Sequence, residues 1–316
     1  MRILVTGGAG YVGGWLVDQA LRAGHEVRVF DQLLYEDLYL KDVNFVYGDV
    51  TNIESLKPHL QWAETVIFLA GFVGDPLCAL NPARARDVNV EAIRRLVENF
   101  DGQIIFPSTC SVYGAQVGEL SELSSVAPLS LYAQTKLTAE ALLLRRSAPT
   151  LIFRLGTLFG LSDTYSRVRL DLVLNVLTIR AVLEKRMSVF GGKQYRPLLH
   201  VRDVASAMVP CIGSVESGIF NIHLENLTII ELAERIQKVV PTAEIKLTET
   251  TFQDARNYMV SSDKAIKHLG FTPRFTIEDG IQELANVVQS RRIKNADLAR
   301  FSNVSAMIPL IGSTSP

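Results

Sequence analysis

Hydrophobic positions fall into short, nearly continuous runs through the first half of the chain. Arg2–Thr6, Glu26–Phe30, Asn44–Tyr47, Thr65–Ala70 and Gln103–Pro107 are the clearest of these. Such runs predict strands covered on both faces, as in a parallel sheet. Between them, helical spacing recurs over Tyr11–Ala23, Ile53–Leu60 and Ala83–Phe100. The alternation predicts the α/β class: a Rossmann-type, doubly wound parallel sheet with right-handed crossovers.

A helix over Leu131–Arg146 and a strand over Leu151–Arg154 continue the pattern, which loosens after Gly160. Beyond it the sequence predicts helices over Leu170–Lys185, Arg202–Ile212 and Thr228–Val240, and a strand over Gly218–Ile222. Thr228 with Glu231 three residues on is a capping-box pattern. The expected division places the sheet unit in residues 1–160 with about 195–225. A smaller, interleaved C-terminal lobe takes 161–194 and 226–290. Residues 291–316 form a tail with little periodicity, and its Gly-Ser-Thr-Ser-Pro end is expected to be mobile.

Composition narrows the partners. Of 316 residues, 48% are hydrophobic and 21% charged, which is the balance of a globular protein. Thirty-two basic against 33 acidic residues leave a net charge of −1, with no basic field for nucleic acid or anionic lipid. A small anion held by two or three local arginines stays compatible with that balance. Cys78, Cys110 and Cys211 are scattered and form no CxxC pair, so neither a disulfide framework nor a metal site is expected. With no apolar run near ~18 residues and no signal-peptide layout, a cytoplasmic protein without a membrane partner is expected.

The first chemical signal is Thr6-Gly7-Gly8-Ala9-Gly10-Tyr11-Val12-Gly13-Gly14, placed between the first strand and the first helix. Glycines at 7, 10 and 13 (or 8, 10 and 13) permit a tight turn and a close backbone approach to a pyrophosphate at a helix N-terminus. Asp31 closes the second strand, where a carboxylate accepts both ribose hydroxyls and repels a 2′-phosphate. Strand alternation turns Arg28 away from that site. NAD is therefore the expected cofactor. Gly48-Asp49-Val50 resembles an adenine-contacting corner, with a turn-opening Asp as the rival reading.

The second signal is Tyr132-Ala133-Gln134-Thr135-Lys136, a phenol and an ammonium one turn apart on a helix. Hydride transfer from a substrate hydroxyl needs a base, and a free phenol is too weak. A unit charge at ~4 Å and a dielectric of ~20 contributes roughly 4 kcal/mol, or about 3 pH units. Ser108-Thr109-Cys110-Ser111-Val112-Tyr113-Gly114 sets hydroxyls at the carboxyl edge of the sheet, where Thr109 can share a substrate hydroxyl with Tyr132.

With these motifs the chain resembles the extended short-chain dehydrogenases/reductases of the nucleotide-sugar epimerase/dehydratase type (UDP-glucose 4-epimerase-like). Arg154-Leu155-Gly156-Thr157-Leu158-Phe159-Gly160 and Arg196-Pro197-Leu198-Leu199-His200-Val201-Arg202-Asp203-Val204 add to the resemblance. It implies a catalytic set of Thr109, Tyr132 and Lys136. It implies NAD contacts from Gly7, Gly10, Tyr11, Val12, Gly13, Asp31, Asp49, Val50, Leu69, Ala70, Gly71 and Asn89, with Tyr132 and Lys136. For a nucleotide-diphosphate sugar it implies Arg196 on the diphosphate, Arg256 as a second contact, and Asp75, Thr109 and Thr157 near the sugar. Asp75 before Pro76 is also a turn signal, Asn89 also reads as a brace, and His200 reads as structural. Arg167 and Arg169 can reach phosphates or sit as solvated cations. A homodimer through Ala83–Phe100 and Leu131–Arg146 is implied by the same resemblance.

Two departures stand out: Phe68-Leu69-Ala70-Gly71 lacks the family's His, and Thr157 replaces its Asn. A third bears on the reaction. Dehydratases of this type carry Asp or Glu directly after the catalytic Thr, and decarboxylases a Glu at the second position. Here these positions hold Cys110 and Ser111. What remains is NAD-dependent epimerisation, expected at C4 through a transient 4-keto sugar. The alternatives are a 4-keto reductase, an atypical dehydratase, or a non-catalytic NAD-binding scaffold or sensor.

Overall fold

The computed structural model describes residues 1–248 and 256–312. Residues 313–316, most of the stretch expected to be mobile, lie outside the described residues. The apolar runs form β1 (Arg2–Thr6), β2 (Glu26–Asp31), β3 (Asn44–Tyr47), β4 (Thr65–Phe68) and β5 (Gln103–Thr109). After them come β6 (Ala115–Leu120), β7 (Thr150–Leu155), β8 (Thr157–Phe159), β9 (Arg186–Phe190) and β10 (Tyr195–His200). β11 (Gly218–Ile222), β12 (Glu225–Thr228), β13 (Glu244–Thr248) and β14 (Asn257–Val260) follow. The helices of the first half are α1 (Gly13–Arg22), α2 (Ile53–Trp62), α3 (Asp75–Leu80), α4 (Pro82–Arg86), α5 (Ala92–Asn99) and α6 (Leu131–Leu143). Those of the second half are α7 (Val173–Leu183), α8 (Val201–Met208), α9 (Ile229–Val239), α10 (Asp263–Leu269), α11 (Ile277–Gln289) and α12 (Asn303–Gly312).

Seven strands make one parallel sheet in the order β11-β7-β5-β4-β1-β2-β3. The chain reverses direction across the sheet between β1 and β4, and open α/β sheets bind ligands at that switch point, outside the carboxyl ends. Leu16, Val17, Val204 and Met208 of α1 and α8 cover one face. Leu56, Ile93, Leu96, Ala139 and Leu143 of α2, α5 and α6 cover the other. A third core gathers Leu174, Leu232, Ile236, Ile281 and Leu284 of α7, α9 and α11. β8, β10 and β12 form a three-stranded sheet, and β9–β13 and β6–β14 are two-stranded pairs.

Several expected boundaries move, each for a local reason. β4 stops at Phe68, because Ala70 passes so close to the first turn that a Cβ on Gly7 would lie 2.5 Å from its amide nitrogen. The helix predicted over Ala83–Phe100 is broken by a π-turn at Asp87–Glu91 that turns Asn89 inward. Pro210 cannot donate to a helical ladder, and α8 ends at Met208 in a short 3-10 turn, Val209–Cys211. The stretch read as an aperiodic tail holds a 3-10 turn, Ala299–Phe301, and α12, whose Met307 enters the core beside Leu77 and Cys78 of α3. Among the described residues no helix is long and apolar enough to cross a membrane. No group of three or more His, Cys, Asp or Glu among them could hold a metal ion.

Candidate active site

A cleft of about 1280 Å³ opens at the carboxyl ends of β1, β2, β4 and β5. Pockets for one small ligand span ~300–1,000 Å³, so this one has room for two. Its floor is the glycine-rich turn. Gly7 has φ +73° and a Cβ on Gly13 would lie 2.4 Å from the Gly8 carbonyl oxygen, so both positions need glycine. Gly10, Tyr11 and Val12 lead into α1, whose N-terminus has no side-chain cap. Its first amides are left for an anion, and the helix dipole favours one there. Tyr11 turns its hydroxyl away from that anion site and donates to the Gly160 carbonyl at 2.6 Å.

Asp31 sits where β2 ends, its carboxylate accepting from the amides of Ala9 (3.0 Å) and Leu33 (2.8 Å). Burial pushes its pKa up, while these backbone donors pull it down. Arg28 is turned away as expected, its guanidinium 4.0 Å over the Trp62 ring and 3.0 Å from His59 Nδ1. Phe30, Gly48 and Val50 form an apolar wall that suits a purine, and Leu69, Ala70 and Gly71 line the opposite side. An uncapped helix end, a carboxylate and an apolar slot are what a dinucleotide requires, so the residues fit NAD. Asp31→Asn would turn an amide donor toward one of the two backbone donors. NADH affinity is expected to fall about tenfold, read by fluorescence titration.

Two expected cofactor contacts are engaged within the protein. Asp49 accepts from Thr51 (2.9 Å from the amide) and pairs with Arg84. Asn89 is engaged as well. Its amide bonds both the amide (2.8 Å) and carbonyl (2.9 Å) of Phe72 and the Thr135 hydroxyl (3.1 Å), bracing the loop after β4 against α6.

The reacting groups enter from β5 and α6. Thr109, the last residue of β5, accepts from the Ser111 amide at 3.1 Å and keeps its own hydroxyl proton to donate. Ser130 caps α6 and donates to Asp75 at 2.5 Å, and Tyr132 and Lys136 follow on one face. Lys136 Nζ donates to the Pro107 carbonyl at 2.9 Å and lies 4.4 Å over the Phe106 ring. Burial lowers its pKa to about 8. Tyr132 shows the opposite of the expected shift. Burial raises it, with Cys78 and Asp75 adding to the rise and Arg169 and Arg256 opposing it. The Coulombic lowering argued from the sequence ignored the desolvation of the phenolate, which here is larger.

Behind these groups lies a buried network that sequence reasoning missed. Ser108 donates to Glu140, Glu140 pairs with Arg154 at 2.7 Å, and Arg154 donates to the Tyr113 hydroxyl at 2.9 Å. It ties β5, α6 and β7 together and so fixes Thr109 relative to Tyr132. The available signal was spacing, since Tyr132, Lys136 and Glu140 recur every four residues.

On the substrate side, Thr157, Arg196, Arg256 and Asp75 all line the cleft. Arg196 donates to the Arg256 carbonyl at 2.5 Å, and Arg256 reaches the Ser111 hydroxyl (3.3 Å) and Asp75 (3.2 Å). Asp75 thus both opens α3 and lines the cleft. Arg167 and Arg169 line the cleft as well, so neither is a solvated cation. Asn303, from the stretch read as aperiodic, lines it too. His200 is structural as expected: fully buried, stacked on Phe275, and 3.0 Å from Glu283.

Residues 3–222 match the family described as "NAD dependent epimerase/dehydratase family". The chain belongs to that family. Its cofactor is NAD. Among relatives, UDP-glucuronic acid decarboxylase 1 of Arabidopsis thaliana is 27% identical over 317 residues, covering 94% of this chain and 72% of that protein. An uncharacterised UDP-glucose epimerase of Bacillus subtilis (strain 168) is 26% identical over 308 residues, covering 89% and 96%. The solved structure of MoeE5 in complex with UDP-glucuronic acid and NAD superposes with a TM-score of 0.78 at 26% identity, over 92% of this chain and 99% of that one.

The two positions after Thr109 differ in their surroundings. Cys110 is fully buried, its thiol on the Arg154 carbonyl at 3.2 Å, and burial raises its pKa. It packs as a small apolar side chain would. Ser111 lines the cleft but is a hydroxyl, 3.3 Å from the Tyr258 hydroxyl.

Proposed function

We propose that this enzyme inverts C4 of a nucleotide-diphosphate sugar through a transient 4-keto intermediate. The observation that carries the reading is the pair Cys110 and Ser111 beside an otherwise complete Thr109, Tyr132 and Lys136. Related dehydratases and decarboxylases use a carboxyl group where Cys110 and Ser111 stand, and neither a thiol nor a hydroxyl replaces a carboxylic acid there. The similarity to proteins that act on or bind UDP-sugars favours a uridine diphosphate.

NAD, when bound, supplies the acceptor and donor of hydride. The chain supplies the rest. Thr109 donates to the C4 hydroxyl oxygen and aligns it with Tyr132. Tyr132 takes the hydroxyl proton as the carbonyl forms and returns it when the carbonyl is reduced from its other face. The cationic fields of Arg169 and Arg256 favour its ionised form, against burial. Lys136 places its ammonium one helical turn from the phenol. Arg196 and Arg256 hold the diphosphate while the sugar turns over, so the leaving and returning faces share one anchor.

Turnover of UDP-, dTDP-, GDP- and CDP-sugars in D2O, followed by NMR of the products, tests this. The expected product is a C4 epimer without solvent deuterium on carbon and without accumulated NADH. Deuterium on carbon, release of CO2, or a dehydrated sugar would sink the proposal.

A further inference from the structure

Arg167 has no function in the scheme above, and its surroundings are unusual. Only 5% exposed, it lines the cleft with Nε and Nη2 buried and without a hydrogen-bond partner. Its Nη1 is used, donating to Asn303 Oδ1 at 2.6 Å. The guanidinium carbon lies over the Tyr35 ring, 3.4 Å from the centroid. Among the described residues no carboxylate pairs with it. A buried guanidinium that served only to brace the fold would satisfy its fork, because each unmet donor is expensive.

Its place points to what meets the fork. The Arg167 amide donates to the carbonyl of Ala9, inside the glycine-rich turn, at 3.1 Å. Its backbone is thus anchored to the turn that leads into the uncapped N-terminus of α1. Tyr35 lies four residues past Asp31, on the adenosine side. Arg196 and Arg256, the pair assigned to the substrate diphosphate, meet beside Ser111.

We propose that Arg167 is a binding residue for the dinucleotide, its Nε and Nη2 donating to the diphosphate that the glycine-rich turn receives. Asn303 is then a positioning residue. It holds Nη1 of Arg167, while its amide nitrogen donates to the Val73 carbonyl at 2.7 Å and its backbone to Asp171 at 2.8 Å. The C-terminal segment in this way fixes a cofactor ligand that sits in the lobe. Burial, with Arg169 nearby, lowers the Arg167 pKa to about 10, which leaves the group charged at neutral pH. The proposal rests on NAD as cofactor and is independent of which sugar carbon is inverted.

Binding titrations on the full-length protein test it: displacement of bound NADH by ADP and by adenosine reads the cofactor site, and direct calorimetric titration with UDP reads the substrate site. Arg167→Ala is expected to weaken NADH and ADP about thirty- to hundredfold and to leave adenosine and UDP within twofold. Arg167→Lys keeps the charge but not the fork, and should weaken ADP about three- to tenfold with adenosine unchanged. Equal losses for ADP and adenosine in both variants would mean a packing role and overturn the proposal. So would unchanged ADP affinity, or a loss confined to UDP, which would place the group on the substrate diphosphate.

Discussion

Tyr132→Phe is expected to lower kcat about 10³- to 10⁴-fold while the protein folds normally and keeps its NAD. Positioned acid–base groups contribute roughly 10²–10⁴ to a rate, and here one phenol acts twice, as base and then as acid. No hydrogen bond to its hydroxyl occurs among the described residues, and the ring is buried against apolar neighbours. Phenylalanine therefore keeps the packing and removes only the transferable proton. Steady-state kinetics paired with nucleotide release from the purified variant separates chemistry from cofactor loss. A variant that turned over near the normal rate would remove Tyr132 from the mechanism.

Lys136→Met is expected to make the protein less active and more stable. Burial moves the ammonium from 10.5 to about 8, which at 1.36 kcal/mol per pH unit is about 3 kcal/mol against the folded state. Part of this gain is lost because the Pro107 carbonyl forfeits its donor, about 1–2 kcal/mol. The net is about 1–2 kcal/mol, or a few degrees in Tm for a chain of this length. The pH dependence has a definite sign. Below about pH 8 the lysine is protonated folded and unfolded, and the full penalty stands. As pH rises from about 8 toward 10.5, the folded protein releases the proton first and the wild type gains stability. The margin between variant and wild type should therefore shrink across that window, read by calorimetry at pH 7 and 9.5. A lower Tm for the variant at pH 7 would show that the carbonyl, and not the charge, dominates the site.

The central parallel strands were legible because β1, β4, β5 and β7 are almost wholly buried on both faces. The glycine-rich turn was legible because backbone clearance leaves a fixed spacing, and the Tyr132–Lys136 pair because a helix repeats every turn. What escaped the sequence depends on tertiary partners. Asp49 matches a ligand motif, yet Arg84 occupies it. Asn89 sits on a helical pattern, yet a π-turn aims it at Phe72. The sign of the Tyr132 shift is set by its burial among the residues that cover the sheet, which no local spacing records. Asn303 lies in a stretch whose apolar content is ordinary, and its role follows only from the three elements it meets.

The place of β11 at the edge of the main sheet has a consequence for how the chain is made. Its partner β7 ends at Leu155, but β11 itself spans Gly218–Ile222, with more than sixty residues of lobe and connection between them. On the ribosome, β7 must wait as an unpaired apolar edge until residue 222 has emerged, the kind of edge that recruits other chains. The interval is spent synthesising part of the lobe that will close the cleft. The main sheet is therefore completed only after α7 and β9 have been made, and the third core waits longer still, for α9 and α11.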